Sequence, residues 1–415
     1  MMIKRKLMMV ERIMYVDSQT PLNVIYTARI NGTISEDHLR IALDKIQRKH
    51  PLLRVSIDHK SAKFPFFTEE KEISQIPLRV VERRTDDDWL AESENEWYRI
   101  FEDQKKPMAQ LVWVKGETVS EILWVMPHCL CDGTTGITLI RELITLLDNP
   151  LLEMDTYDAF RSVDEFLPDD FNLKKQKRKA RLYLVMAKLF FFTQLKSKNR
   201  NLGNNYALHR KLDADISKKI VTTCKTHGIS VHALLCSAFM QAFRETQGKK
   251  ARGKVISPVD VRHFIPEIKQ DHIFAFAPTV ELSIKKDLNL LENAKHIKKD
   301  LLEKIEKTKA RELLWMGENM HPVVDRMISL LKLSKGSHDI TLSNMGKIDI
   351  PAEYKNFKLE TIFSPTVAFP WLNSNTLLTT TYNQQMDFTF MSNENFLPKE
   401  EAKKIKDKAI ELLIS

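Results

Sequence analysis

In the stretch WVMPHCLCDGTTGITLIREL, from Trp124 to Leu143, an apolar run meets one histidine, and an aspartate and a glycine follow four and five residues later. That combination suits proton transfer. An imidazole titrates near neutral pH and is the commonest general base. Asp132 can return beneath His128 if the intervening chain turns sharply, and Gly133 lets the turn be tight and a substrate approach closely. The helix that follows would aim its amide-rich N-terminus at the same pocket, where negative charge is stabilised. The competing reading makes His128 a satisfied core histidine and Asp132 a helix cap and nothing more.

The surrounding pattern supplies elements to carry these residues. AQLVWVKGETVSEILWVMPH reads as two strands joined across Lys115 to Thr118, the second delivering His128. Thr134 to Leu147 reads as a helix with Ile137, Ile140, Ile144 and Leu147 on its buried face. Upstream, Ser35 should cap a helix that buries Leu39, Ala42, Leu43 and Ile46 and stops at Pro51, with a strand through Leu53, Val55 and Ile57 after it. A polar break near Asn199 to Asn205 opens a second half. Helices are expected there over 215–227 and 230–246, split by Gly228, then strands in KVISPVDVRHF and FAPTVELSI. Helices near 288–309 and 319–333 lead into the strands DITLSNMGKIDIP, TIFSPTVAF, TLLTTTY and MDFTFMS, and a helix from Lys399 closes the chain. No short repeat interrupts this order. The expectation is a mixed α/β (α+β) protein with a sheet in each half.

Composition narrows the function. At 415 residues, two domains are the natural division. Only 11 residues are glycine, and no Gly-x-Gly-x-x-Gly or Gly-Lys-Ser/Thr run is present, which argues against dinucleotide and P-loop chemistry. Four cysteines (Cys129, Cys131, Cys224, Cys236) make no disulfide framework in so long a chain, so a cytoplasmic location is expected. The opening MMIKRKLMMVERIMYV has too short an apolar run for a signal peptide. Cys129 and Cys131 lack a second ligand pair at zinc-like spacing, so no metal is expected. His227 and His232 read as surface residues.

PHCLCDGTTG, together with ALDKIQRKHPLLRVSI, SPVDVRHF and TLSNMGKIDIP, resembles the condensation-domain and alcohol acetyltransferase superfamily, in the family's order and over essentially the whole chain. That group includes nonribosomal peptide condensation domains, polyketide-associated acyltransferases, wax ester synthases and chloramphenicol acetyltransferase. The resemblance implies two chloramphenicol acetyltransferase-like subdomains forming a pseudo-dimer around a central tunnel. Their ranges would be 1–170 with the motif, a basic linker helix over 171–205, and 206–415. The family's His-His-x-x-x-Asp-Gly falls on His128, Asp132 and Gly133, with Pro127 in place of the first histidine. Arg262 resembles the arginine that pairs with the motif aspartate, which would make Asp132 structural.

The activity so implied is acyl transfer to an alcohol or amine. The co-substrate would be an acyl-CoA or acyl-carrier thioester, with no tightly bound cofactor and His128 as general base. Amides near Gly133 would stabilise the oxyanion, helped by Ser343 or Asn344 from the other half, unless SNMG is only a turn that stabilises its own backbone. The partners expected are a small-molecule acceptor and, for a carrier-bound donor, an acyl carrier protein, with the enzyme a monomer. The rivals are an inactive binding or scaffold protein of the same fold and a stand-alone carrier-dependent condensation enzyme. Between Lys174 and Arg200 lie ten Lys or Arg residues and no acid, interleaved with Leu182, Val185, Leu189 and Phe192. That suits a peripheral membrane contact or an anionic carrier, or else a linker helix with its apolar side packed across the halves. Nucleic acid is not expected, because the charge is confined to one stretch without a recognised binding motif.

Overall fold

The computed structural model describes residues 4–59, 64–69, 72–101, 106–192 and 204–415. Two six-stranded sheets dominate. In the first, the strand Asn23–Gly32 lies beside the motif strand Val119–Pro127, which pairs in turn with Gln110–Lys115 and then Leu78–Glu82. The motif strand is buried from Ser120 to Met126, as a central strand covered on both faces should be. In the second, the order is Thr279–Ser283, Lys254–Pro258, Ile340–Lys347, Thr376–Tyr382, Gln385–Asn393 and Asn205–Lys211.

The other edge of the first sheet is made from far along the chain. Phe357–Ile362 and Thr366–Val367 both pair antiparallel with Asn23–Gly32. The range 206–415 therefore contributes strands to both sheets and does not fold wholly within the second half. The cores follow suit, since Leu378, Tyr382 and Met391 of the second sheet belong to the first half's apolar cluster.

Several helices stand where the pattern puts them. Ser35 caps Glu36–Lys49, and Ser230 caps Val231–Gln247, each through its side chain. Other expectations need correction. The strand in KVISPVDVRHF ends at Pro258, and regular pairing resumes only at Thr279. Pro258, Pro266 and Pro278 lack the amide donors that a ladder needs. The two helices expected over 288–333 are three, Leu290–Glu306, Ala310–Glu318 and Val324–Leu333. His232 is packed, not exposed, with Nε2 2.6 Å from Ser257 Oγ.

The basic segment is a helix over Leu173–Phe192, and the remainder of the stretch, from 193 to 200, lies outside the described residues, as does 199–203 of the polar break. It docks through Gln176, Ala180 and Phe191, while Leu182, Val185, Leu189 and Phe192 are exposed. The expectation that these four pack across the two halves is corrected.

Candidate active site

The motif strand's last ladder pair joins Pro127 to Asn23, and the next amide, His128 N, donates to the Leu22 carbonyl at 2.8 Å. The sheet thus fixes the histidine backbone. The chain then turns, with Leu130 N donating to the Pro127 carbonyl at 3.0 Å and Cys131 N to the His128 carbonyl at 3.4 Å. That turn returns the Cys131 carbonyl to the ring, where His128 Nδ1 donates to it at 2.8 Å. A carbonyl can only accept, so Nδ1 carries the hydrogen and a neutral ring has its lone pair on Nε2. Burial pushes the imidazole below its usual range, against the opposing pull of the Cys131 carbonyl and the Asp132 charge. The sharp turn is present, but the backbone of Cys131, not the Asp132 carboxylate, meets the ring.

Asp132 points elsewhere. It caps the motif helix Gly133–Asp148, its Oδ1 accepting from Thr135 N and Thr135 Oγ1, both at 2.9 Å. Arg262 of the second half forks onto the same carboxylate, Nη1 to Oδ2 at 2.6 Å and Nη2 to Oδ1 at 3.1 Å. The Arg262 side chain is fully buried and also donates to the His272 carbonyl at 3.1 Å. Thr134 Oγ1 donates to Asp260 Oδ2 at 3.0 Å, and Thr135 Oγ1 accepts from Phe274 N at 3.2 Å. The irregular segment 259–278 is thereby fastened to the start of the motif helix.

Two glycines allow close packing here. A Cβ on Gly133 would lie 2.3 Å from Met345 Sδ, and one on Gly136 would lie 2.0 Å from the Tyr26 ring. Tyr26 in turn donates its hydroxyl to the Asp132 carbonyl at 2.8 Å. Phe369, just beyond the crossover strands, sets its ring 5.7 Å from that of His128.

Two cavities flank the motif in the chain. One, of about 660 Å³, is lined by Pro127, Leu22, Tyr15 and Arg99 among others. The second, of about 460 Å³, is lined by Asp132, Gly133 and Thr134 together with Ser343 and Asn344. The structure therefore brings Ser343 and Asn344 to the motif helix. Asn344 Oδ1 accepts from Gly346 N at 2.8 Å, within a bulged strand where Gly346 takes φ +71°. Asn344 thus braces its own turn, the second of the two readings open for SNMG.

Cys129 and Cys131 are wholly buried, and burial holds both thiols protonated. Among the described residues no group of three His, Cys, Asp or Glu is placed to hold a metal ion. The residues that the pattern missed are the Cys131 carbonyl, Tyr26, Gly136, Met345 and Phe369. Of these only Gly136 left a local signal, three residues after Gly133 on one helix face.

Comparison with solved structures gives the same fold. The trichothecene 15-O-acetyltransferase of Fusarium sporotrichioides superposes with a TM-score of 0.74 at 16% identity, covering 100% of this chain and 95% of its own. The condensation domain of the monacolin K polyketide synthase gives 0.67 at 12%, covering 99% and 96%. The polyketide synthase associated protein 5 of Mycobacterium tuberculosis gives 0.63 at 13%, covering 99% and 98%. These neighbours carry the chloramphenicol acetyltransferase-like fold. No curated protein sequence matches the chain. The sequence model of the condensation domain spans residues 13–330, so that most of the chain, with His128, Asp132 and Arg262 inside the match, belongs to the condensation-domain family.

Proposed function

We propose that this protein moves an acyl group from a thioester, on coenzyme A or a carrier protein, to an alcohol or amine, with His128 Nε2 as the general base. Family membership makes acyl transfer the reaction class. One observation carries the finer reading. The hydrogen bond from Nδ1 to the Cys131 carbonyl leaves the Nε2 lone pair available to take a proton.

The acceptor oxygen or nitrogen would attack the thioester carbonyl while Nε2 removes its proton. The tetrahedral intermediate would place its oxyanion near the Gly133 and Thr134 amides, at the positive end of the motif helix. Collapse would break the C–S bond, and Nε2 would return the proton to the departing sulfur. Asp132, occupied by Arg262 and Thr135, would orient the turn and exchange no proton.

Thiol release from acyl-CoAs of graded length and from an acyl-loaded carrier protein, measured with a panel of alcohols and amines, tests the reading. The expected result is acceptor-dependent release that His128→Ala reduces by about 10²-fold or more. Release that His128→Ala leaves intact would assign the base elsewhere, and acceptor binding without turnover would favour a scaffold role.

A further inference from the structure

We propose that the outward face of the helix Leu173–Phe192 is a docking site for an anionic lipid surface. The helix is held by one stripe. Gln176, Ala180 and Phe191 are buried, with Leu184 and Ala187 half-buried between them, a spacing of three and four residues that defines a single side. Ala180 packs in the cluster of Leu314 and Trp315, and Arg326 Nη1 donates to the Phe191 carbonyl at 2.7 Å.

The opposite side is left in water. Leu182, Tyr183, Val185, Met186, Leu189 and Phe192 are between 44% and 79% exposed. At about 100° per residue they sweep roughly half the circumference, centred opposite the docked stripe. So many large apolar side chains in one exposed patch mark an interaction surface.

Charge identifies the occupant. Lys174, Lys175, Lys177, Arg178, Lys179 and Arg181 are all exposed, and the helix contains no acidic residue. Along its length the helix is therefore basic for its first half and, Lys188 apart, apolar for its second. A lipid boundary has the matching two parts, anionic headgroups above acyl chains, and a helix lying in it buries its apolar side about 5–10 Å deep. Among the described residues no helix is long and apolar enough to cross a membrane, so the contact is with the surface. A protein partner would need a groove wrapping half a helix, whereas lipids flow around a convex ridge.

The test is sedimentation with vesicles of phosphatidylcholine alone or mixed with phosphatidylglycerol, at low and high salt. The protein should bind the mixed vesicles at low salt and leave them at high salt. Replacing Lys174, Lys175 and Arg178 with glutamine should weaken binding about fivefold per charge. Leu182→Gln, Leu189→Gln and Phe192→Gln together should weaken it by more than about tenfold. All six positions are exposed and glutamine favours helix, so circular dichroism and the thermal midpoint should match wild type. No binding to mixed vesicles at low salt overturns the proposal. So does binding that the three apolar substitutions leave unchanged, which would be attraction without insertion. Failure to bind vesicles alongside capture by an acidic carrier protein would also overturn it.

Discussion

The hydrogen bond from His128 Nδ1 to the Cys131 carbonyl makes two measurable demands. Removal of the base by His128→Ala should lower kcat/KM by about 10²- to 10⁴-fold with little change in thermal midpoint. The pH profile carries the second. Burial lowers the imidazole from its ordinary 6.5, so Nε2 stays unprotonated as pH falls through that value. The acid limb of kcat/KM should accordingly lie below 6.5, and a limb above it would contradict the assignment. Arg262→Ala would leave Asp132 buried and charged without its partner, a loss of about 3–5 kcal/mol measurable by denaturant unfolding. Arg262→Lys should recover only part of it, because an ammonium cannot reproduce the fork onto two oxygens. His128, Asp132 and Gly133 were legible from residue type and spacing. Arg262 was legible only by resemblance, since 130 residues separate it from Asp132. The Cys131 carbonyl was not legible, because every residue type carries one.

The motif helix is placed by what its glycines leave out. Gly136→Ala would drive a Cβ into the Tyr26 ring, and either the helix or the strand Asn23–Gly32 must move. Overpacking of this kind costs about 1–3 kcal/mol, and it should also reduce turnover by shifting the helix N-terminus. Tyr26→Phe keeps the ring and loses only the hydrogen bond to the Asp132 carbonyl, so about 1 kcal/mol is the expected loss in unfolding free energy. Elements with a clear period or cap were legible, such as the two motif strands and the helices that Ser35 and Ser230 cap. The long loop from Val259 was not, because VDVRHF has the apolar content of a strand while its prolines and its bonds to the motif helix keep it from pairing. Phe369 came to His128 through strand pairing over more than 300 residues, which no local window contains.

Across the whole molecule, the halves are joined by charged groups that acid would neutralise or charge. Lys49 Nζ of the first half meets Asp271 Oδ2 of the second at 2.8 Å, the Tyr157 hydroxyl donates to the same oxygen at 2.5 Å, and the two contacts hold the Asp271 carboxyl down at about 2 despite its burial. Burial lowers His272, which packs on Tyr157 of the first half, and His232, inside the second half, from 6.5 to about 4. The unfolded chain would protonate those imidazoles first, so stability should fall as pH drops from about 6.5 to about 4, and again from about 3.8 to about 2 as Asp271 titrates. Thermal midpoints across that range check this, and His232→Gln should flatten the upper part of the curve. The crossover has a different consequence, one of timing during synthesis. Asn23–Gly32 receives its outer neighbours only from Phe357–Ile362 and Thr366–Val367. At ribosomal rates of about 5–20 residues per second, roughly 12–46 s pass between completion of the motif strand at Pro127 and arrival of Phe357. Throughout that interval the nascent chain carries an unpaired sheet edge, open to other strands, beside the very segment that will hold His128. The same interval disappears when the full-length chain refolds from denaturant, so refolding in a tube and folding on the ribosome should differ in how much of the protein is lost to aggregation.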